Sequence, residues 1–556
     1  MTAREEISQQ NLQEHVKFLS GFEKLSGTAG AHKAAAYMAE QLEKDHVPYE
    51  ILKFQEYVSD PLASTIQLPD GTVVRSRPRS FSLCLPQGVS APLVYDDCHV
   101  NKAVTLAEKA ARLDSYAGKI VLSHGYDERY AKLLEQHGAL GWIQIWSSDE
   151  EQIHEDTVSS IWGTPDLDTS LLQLRIPVLA VNHADGEFLA RYAARPGAAV
   201  FIAATVDTGV RTVEVPVAYI PGQTEDFVLL SGHYDTWYAG AYDNITANAA
   251  CLELARVFTG QPKPLRGIRI AWWAGHSNGR YAGSNWYYDH HYTELADHCT
   301  AQINSDMISS LTGSELAVIT TGLEGETFMT NLLRQVDAAI PIHFKRFGRG
   351  ADQSFWGAEI PYNLMTRYEA AREDRRSDAP GGNPWWHTIE DTYDKINMEL
   401  LTKGTKVLYE TVNAFASLPV LPMDLGNYFK KMEGRLQQVD AHSDSIFDFK
   451  DIYQALKQVE QAALAVANNG TIAKTNKLAK LVGGKYNWLM QTYGSRFGQD
   501  LSYAYGMFPH LTAVEGVYQE TTEPAEFLFY RTEFQRQKNR FLYESRRLER
   551  ELRNLR

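Results

Sequence analysis

The stretch "DFVLLSGHYDTWYAGAYDNITANAACLELARVFTG", residues 226–260, decides the fold class. It opens with a short, nearly continuous apolar run, which is typical of a strand buried on both faces of a sheet. Glycine and ionisable residues follow, and a segment with helical spacing of apolar residues then runs from Ile245 to a stop at Gly260. The stretch therefore predicts a buried strand, a loop rich in ionisable side chains, and a helix.

The same alternation extends over residues 216–415. Further buried strands are predicted from "GIRIAWWAG", "TAQINSD", "ELAVITT" and "IPYNLMT", and a further helix from "GETFMTNLLRQVDAAI". Alternating strands and helices indicate the α/β class. We therefore expect a mixed, mostly parallel sheet with helices on both faces.

The segments on either side differ in their pattern of predicted strands and helices. The segment after residue 60 contains many short β-rich runs and one clear helix, "DERYAKLLEQHGA", whereas the segment after "LPVLPMDL" has helical periodicity to the last residue. These changes predict an α/β domain from residues 1–59 and 216–418, a β-rich insert from residues 60–215 and a helical domain from residues 419–556.

Charge and composition exclude several classes of partner. A net charge of −15 over 556 residues argues against nucleic acid as the main partner, because phosphate binding needs a basic face. No apolar run reaches the roughly 18 residues that a membrane helix needs, and the N-terminus lacks the pattern of a secretory signal. The scattered cysteines, without a C-x-x-C pair, are typical of a reducing compartment. We expect a cytoplasmic protein without a nucleic-acid or membrane partner.

Ionisable side chains follow the predicted strands. In an open α/β sheet, chemistry collects where the strands end, at their carboxyl edge. The candidates at this edge are His233, Asp235, Asp243, His276, Asp306 and His387. Imidazole and carboxylate groups together suit zinc, with manganese, cobalt or iron as alternatives. The sequence therefore predicts a metal site at this edge.

Each candidate also has a structural alternative. Asp243 can cap the helix that starts near Ile245, Asp306 can lie in a turn, and His387 can lie in an aromatic loop. Alternatively, Asp235 can orient His233 by accepting a hydrogen bond from its second ring nitrogen, which is a common arrangement around metals. The shared position at one edge of the sheet favours the metal site.

Three segments carry a family resemblance. "SGHYDTWYAGAYDNITANAACLELAR", "INSDM" and "WWHTIEDTYDKI" resemble the co-catalytic zinc aminopeptidase and glutamate carboxypeptidase family, whose large members include the transferrin receptor. "GKIVLSHGYDERYAKLLEQHGALGWIQI" resembles the protease-associated module of that family. The resemblance implies a protease-associated domain inserted into a zinc aminopeptidase-like domain, and a homodimer formed through the C-terminal helices.

The resemblance also implies a ligand set. His233, Asp243 and Asp306 would hold one metal ion, and Asp243 and His387 would hold a second together with a glutamate. The paired glutamates of the family should follow the "AWW" strand, but this sequence has "AGHSNG" there. Without a gap, His276 takes the position of the general base and Ser277 that of the ligand, and a register shift by one residue restores no carboxylate.

His276 therefore has three interpretations. It can replace the missing ligand and keep a second ion, it can carry a proton over a single ion, or it can belong to a dead site like that of the receptor branch. The retained carboxylates favour a bound metal, since buried unpaired carboxylates are costly. They therefore favour an enzyme over a receptor or scaffold.

The sequence favours a metal-dependent hydrolase of an amide or peptide-like small substrate. A non-hydrolytic, lyase-type enzyme and a non-catalytic, receptor-like binding protein remain as alternatives. Nearby arginines can hold a substrate carboxylate, or can form surface pairs with Glu369, Glu373 and Asp374. The expected substrate contacts are Arg349, Trp386, Tyr281 and Asn278.

Overall fold

The computed structural model describes residues 3–97, 106–125, 128–348, 350–502 and 506–556. The strands are β1 Tyr49–Gln67, β2 Val73–Val74, β3 Arg77–Pro78, β4 Leu85–Asp96, β5 Ile120–His124, β6 Gly141–Ile145, β7 Val178–Val181, β8 Ala199–Ile220, β9 Phe227–His233, β10 Gly267–Trp273, β11 Cys299–Asn304, β12 Glu315–Thr320, β13 Ile342–Arg346 and β14 Tyr362–Glu369. The helices are α1 Gln9–Leu19, α2 Ala29–Lys44, α3 Leu106–Asp114, α4 Glu128–Gln136, α5 His183–Ala193, α6 Thr246–Thr259, α7 Ala282–His290, α8 Tyr292–His298, α9 Glu326–Leu333, α10 Met398–Ser417, α11 Leu425–Ala441, α12 Lys450–Asn469, α13 Ile472–Gln491 and α14 Pro524–Leu555.

The central strands form the predicted mixed sheet. Their order is β13-β12-β14-β11-β9-β10-β8, and β14, β11, β9 and β10 run parallel to one another. β12 lies antiparallel to β14, and β8 lies antiparallel to β10. Helices α1, α2, α6 and α10 bury their apolar residues in one core with these strands. The α/β fold class predicted from the sequence is confirmed.

Two long strands join the central sheet to the β-rich segment. β1 and β8 pair antiparallel from Tyr49 beside Ala218 to Gln67 beside Phe201, with one irregularity near Pro61. Both expected domain boundaries, at 59/60 and 215/216, therefore fall inside paired strands. Beyond them β4, β5, β6 and β7 continue as a parallel sheet with its own apolar clusters. The three-domain division stays a prediction.

The C-terminal part is helical, as the sequence predicts. α14 packs against α12 and α13, and the ring of Phe534 on α14 contacts those of Phe447 and Phe449, which precede α12. None of the helices in the described residues combines the length and the apolar character that a membrane crossing needs. Cys251 and Cys299 are buried, whereas Cys84 is exposed; Cys98 lies outside the described residues.

The parallel register brings three loops to one edge of the sheet. His233 is the last residue of β9 and lies beside Trp273, the last residue of β10. Asn304, which ends β11, lies beside Ser231 of β9. The residues that follow these three strand ends therefore meet in space, as expected for the carboxyl edge of a parallel sheet.

Candidate metal centre

His233, Asp243 and Asp306 form a buried group with the geometry of a metal site. Their three potential ligand atoms lie within 4.8 Å of one another. The Nε2 atom of His233 is 3.1 Å from an Asp243 oxygen and 3.6 Å from an Asp306 oxygen. Among the described residues this is the single convergent group of three such side chains.

Asp243 is held in place by the turn that precedes α6. The backbone N–H groups of Tyr242 and Asp243 donate to the two oxygens of Asp391, at 2.7 and 3.0 Å. Both carboxylate oxygens of Asp391 are therefore occupied by this turn. Asp391 therefore fixes the backbone that carries Asp243.

His387 contacts the same group from a distant part of the chain. Its Nε2 atom lies 2.9 Å from the second oxygen of Asp243. Its Nδ1 atom donates to the carbonyl of Glu155 at 2.8 Å, and its ring stacks on Trp386 at 3.5 Å between ring centroids. Glu155 belongs to the β-rich segment, so no local sequence signal could have identified it.

Asp235 has a different partner from the expected one. The Nδ1 atom of His233 donates to the main-chain carbonyl of Asp235 at 2.9 Å, whereas the nearest carboxylate oxygen is 3.9 Å away. The carboxylate accepts the backbone N–H groups of His276 and Ser277, at 3.2 and 2.8 Å. Asp235 therefore holds the turn after β10, because its side chain faces that turn.

The electrostatics of the group are those of a cation site. Burial alone would lower the pKa of His233, but the adjacent carboxylates of Asp243 and Asp306 outweigh it and raise that pKa well above its usual value. Burial likewise opposes the charge of Asp243, yet hydrogen bonds with His233 and His387 keep the pKa of this carboxyl well below its usual value. One buried oxygen of Asp306 has no hydrogen-bond partner. This donor set fits a divalent cation.

His276 lies next to the group without joining it. Its ring stacks on His233 with centroids 3.6 Å apart and planes 11° apart. Its Nδ1 atom is 2.8 Å from a carboxylate oxygen of the buried Asp352, whose other oxygen accepts a hydrogen bond from Ser284 at 2.9 Å. The sequence analysis did not predict a role for Asp352.

Ser277, at the other position expected for a family glutamate, is engaged in the turn. Its hydroxyl donates to the main-chain carbonyl of Asp235 at 3.2 Å, and its side chain is buried. It is not part of the convergent group. Neither of the two positions therefore brings a carboxylate to the site.

A cavity of about 480 Å³ opens beside the group. Two of the expected substrate contacts, Tyr281 and Trp386, line it together with His276. Asn278 differs from the expectation, because its amide nitrogen donates to Asp60 and Ser26 at 2.6 and 3.2 Å and it lies outside this lining. The prediction for Arg349 falls outside the described residues.

Comparisons with known proteins agree with the fold and the position of the site. Residues 216–412 match the family model of peptidase family M28. Aminopeptidase YwaD of Bacillus subtilis is 24% identical over 415 residues, which span 70% of this chain and 81% of that protein.

Two solved structures share the fold. An aminopeptidase from Aneurinibacillus sp. strain AM-1 superimposes with a TM-score of 0.58 at 20% identity, covering 76% of this chain and 97% of that one. BSAP, a zinc aminopeptidase from Bacillus subtilis, gives a TM-score of 0.58 at 20% identity, covering 74% and 96%. The resemblance drawn from the sequence is confirmed: residues 216–412, which hold the site, match peptidase family M28, and the chain is similar to zinc aminopeptidases.

Proposed function

We propose that this protein is a zinc-dependent hydrolase of amide or peptide-like small substrates, in which His276 carries the proton that a family glutamate would carry. The observation that supports this proposal most strongly is the buried convergence of His233, Asp243 and Asp306, with His276 stacked against it in the wall of a cavity. The family match to metal-dependent peptidases points to the same reaction class.

The donor set accounts for the choice of metal. One imidazole and two carboxylates, with His387 in contact with a shared carboxylate, suit zinc, and manganese, cobalt or iron are chemically possible. BSAP, which shares the fold, is described as a zinc aminopeptidase. When bound, zinc would act as a Lewis acid that polarises the substrate carbonyl.

The position of His276 supports one ion rather than two, because among the described residues His276 forms no convergent group with Asp243 and His387, the ligands expected for a second ion. Imidazole lone pairs lie in the ring plane, and the rings of His276 and His233 are nearly parallel. Their nitrogens therefore do not point at a common centre. Since Asp352 already occupies Nδ1 of His276, a single nitrogen, Nε2, remains for chemistry.

Asp352 gives His276 a defined tautomer. An ionised carboxylate can only accept hydrogen bonds, so Nδ1 of His276 carries the proton and Nε2 keeps its lone pair. In the proposed reaction Nε2 takes a proton from the water that attacks the carbonyl and returns it to the leaving nitrogen. Asp352 is then a positioning residue that holds the ring.

Metal content and turnover of a His276 variant test this function together. We expect about one zinc ion per chain, and we expect His276→Gln to keep the metal while turnover falls about 10²–10⁴-fold, which is the usual contribution of a general acid–base group. Small N-acyl and dipeptide amides are suitable substrates. The exposed His290, which stacks on Trp286, provides the matched control His290→Gln, with unchanged turnover.

Other outcomes identify the alternatives. Two ions per chain, with one lost in His276→Gln, would make His276 a ligand. Bound metal without hydrolysis of any amide tested would favour a non-hydrolytic, lyase-type reaction. A chain without tightly held metal would favour the receptor-like binding protein, and the proposed enzyme would then be wrong.

We also propose a domain organisation and an assembly. We keep the β-rich segment as an inserted protease-associated domain, supported by its separate apolar clusters. A homodimer through the C-terminal helices is supported by large apolar side chains on α14, since Leu528, Phe529 and Tyr543 are more than half exposed. The solution mass of the whole chain, measured by light scattering, checks this assembly.

A further inference from the structure

A second cavity, of about 350 Å³, lies apart from the metal ligands. It is lined by residues 161–169 of the β-rich segment, by α7 and α8, and by the loop 497–501 that follows α13. None of the described residues lines both this cavity and the one beside the metal ligands. A volume in this range is enough for a small ligand, since small-molecule sites measure roughly 300–1,000 Å³.

One pair of aromatic rings separates the two cavities. Trp162 lines the second cavity, and its ring centroid lies 4.2 Å from that of Tyr281, which lines the cavity beside the metal ligands. The indole N–H of Trp162 donates to the Ser354 hydroxyl at 2.8 Å, so the ring has a fixed position. The second cavity is therefore a neighbour of the metal site with its own walls.

A chain of aromatic rings forms one wall of the second cavity. The ring centroid of Tyr292 lies 5.5 Å from that of Tyr288 and 5.2 Å from that of Phe497. Phe497 is 74% exposed, which is unusual for a large apolar side chain. Because the face of an aromatic ring carries partial negative charge, such a wall attracts organic cations.

The charged groups of the second cavity are acidic. Its carboxylates are Asp166 and Asp289, and among the described lining residues there is no lysine, arginine or histidine. Hydrogen bonds from Thr169 and Asp168 hold the pKa of Asp166 below its usual value, so this group keeps its negative charge. Within the described part of the chain, Asp289 forms no ion pair. The cavity therefore has a negative potential without an internal cation.

The arginine next to this loop serves another part of the molecule. Arg496 precedes Phe497, but its guanidinium group lies over the ring of Trp488, 4.1 Å from the centroid. It also pairs with Glu359 at 3.4 Å. Arg496 therefore does not neutralise the carboxylates of the second cavity.

Asn285 adds a buried acceptor to the same wall. Its amide nitrogen donates to Asp289 at 3.4 Å, and the residue is only 8% exposed. Its Oδ1 atom is buried and has no hydrogen-bond partner among the described residues. A buried acceptor without a donor is costly, so a donor supplied by a ligand would be favourable. An ammonium group has three donors and can serve both this oxygen and a carboxylate.

We propose that the second cavity is a binding site for a small organic ammonium ion with an apolar body. Its ammonium group would contact Asp289 and the Oδ1 atom of Asn285, and its apolar body would lie against Tyr292 and Phe497. This site is separate from the metal centre and does not depend on the proposed hydrolase function.

Two probes of equal size test the charge selectivity of this site. Benzylammonium has a ring and an ammonium group, and benzyl alcohol is its neutral isostere. By calorimetry on the zinc-loaded whole chain, we expect benzylammonium to bind about tenfold more tightly, as for one charge-assisted contact. Asp289→Asn should abolish this preference, and Phe497→Leu should reduce it severalfold because one ring face is lost.

Asp297→Asn is the matched control. Asp297 is an exposed carboxylate on α8, and it lies outside the lining of the second cavity. This variant removes the same charge and should keep the tenfold preference for benzylammonium.

Several results would overturn the inference. Equal binding of the two probes to the wild type would do so. A preference that survives in Asp289→Asn would place the ammonium group elsewhere, for instance on the carboxylates of the metal centre. Equal losses in Asp289→Asn and Asp297→Asn would reduce the effect to general surface charge. A preference unchanged in Phe497→Leu would mean that the rings take no part in the site.

Discussion

At the scale of single residues, His276 is defined by its two neighbours. His233 covers one ring face, and Asp352 holds Nδ1. Asp352 has a positive φ of 57°, a conformation that asparagine tolerates well, so Asp352→Asn should fold. We expect its kcat to fall by about 10²-fold because the ring loses its fixed tautomer. Zinc content and KM should stay close to those of the wild type, which steady-state kinetics and elemental analysis measure.

Ser284 provides the control for this prediction. Its hydroxyl donates to the Asp352 oxygen that does not face His276. Ser284→Ala should therefore leave kcat within a few-fold of the wild type. Equal losses in both variants would mean that Asp352 has a structural role only.

Some of the residues of the site could be predicted from the sequence. His233, Asp243, Asp306 and His387 follow strands or a recognisable aromatic motif, and the structure brings all four together. The partners that orient His276 and His387 could not be predicted, because Asp352 and Glu155 come from loops without periodicity. The expected His233–Asp235 pair was wrong because the main-chain carbonyl of Asp235 is nearer than its carboxylate.

At the scale of elements, the turn after β10 depends on Gly275. This residue has a positive φ of 66°, and a Cβ added there would lie 2.2 Å from a Glu56 oxygen and 2.9 Å from Ala282 Cβ. Gly275→Ala should therefore lower the thermal unfolding temperature strongly, with a cost above the roughly 1–3 kcal/mol of backbone strain alone. Because His276 is the next residue, turnover should fall as well.

Gly118 provides a control that separates the cost of backbone strain from the cost of the close contact with Glu56. It has a similar φ of 71°, but no atom lies within 4 Å of an added Cβ. Gly118→Ala should show backbone strain alone, with a smaller drop in unfolding temperature and normal turnover. Similar drops in both variants would contradict the close approach of Glu56.

The pattern of elements was largely predictable. The buried strands β9 and β10 are mostly apolar, and α6 ends at the predicted glycine. β13 was missed because its sequence, "IHFKR", is half-buried and polar at its end, so it lacks the signal of a buried strand. The extent of β1 and β8 was also missed, since polar residues on their exposed stretches resemble turns.

At the scale of the whole molecule, the bound metal should contribute to stability. Without a cation, the buried carboxylates of Asp243 and Asp306 face each other with one histidine between them. A ligand present at 100 times its Kd stabilises the folded state by about 2.7 kcal/mol. We therefore expect a chelator to lower the thermal unfolding temperature of the wild type and zinc to restore it.

His233→Ala is the reference for this measurement. It lacks one of the three ligands, so chelator should leave its unfolding temperature unchanged. If the wild type is also insensitive to chelator and contains no metal, the chain is not a metalloenzyme.

The paired strands β1 and β8 form a long antiparallel ribbon that restrains the segment beside His387. The segment that carries Glu155 exchanges two main-chain contacts with His387, one through the imidazole and one through the peptide carbonyl, and the ribbon fastens that segment to the central sheet. Swinging it aside would break a ladder of interstrand hydrogen bonds rather than bend a hinge. We therefore expect the segment that carries Glu155 to keep its place beside His387 when a substrate enters.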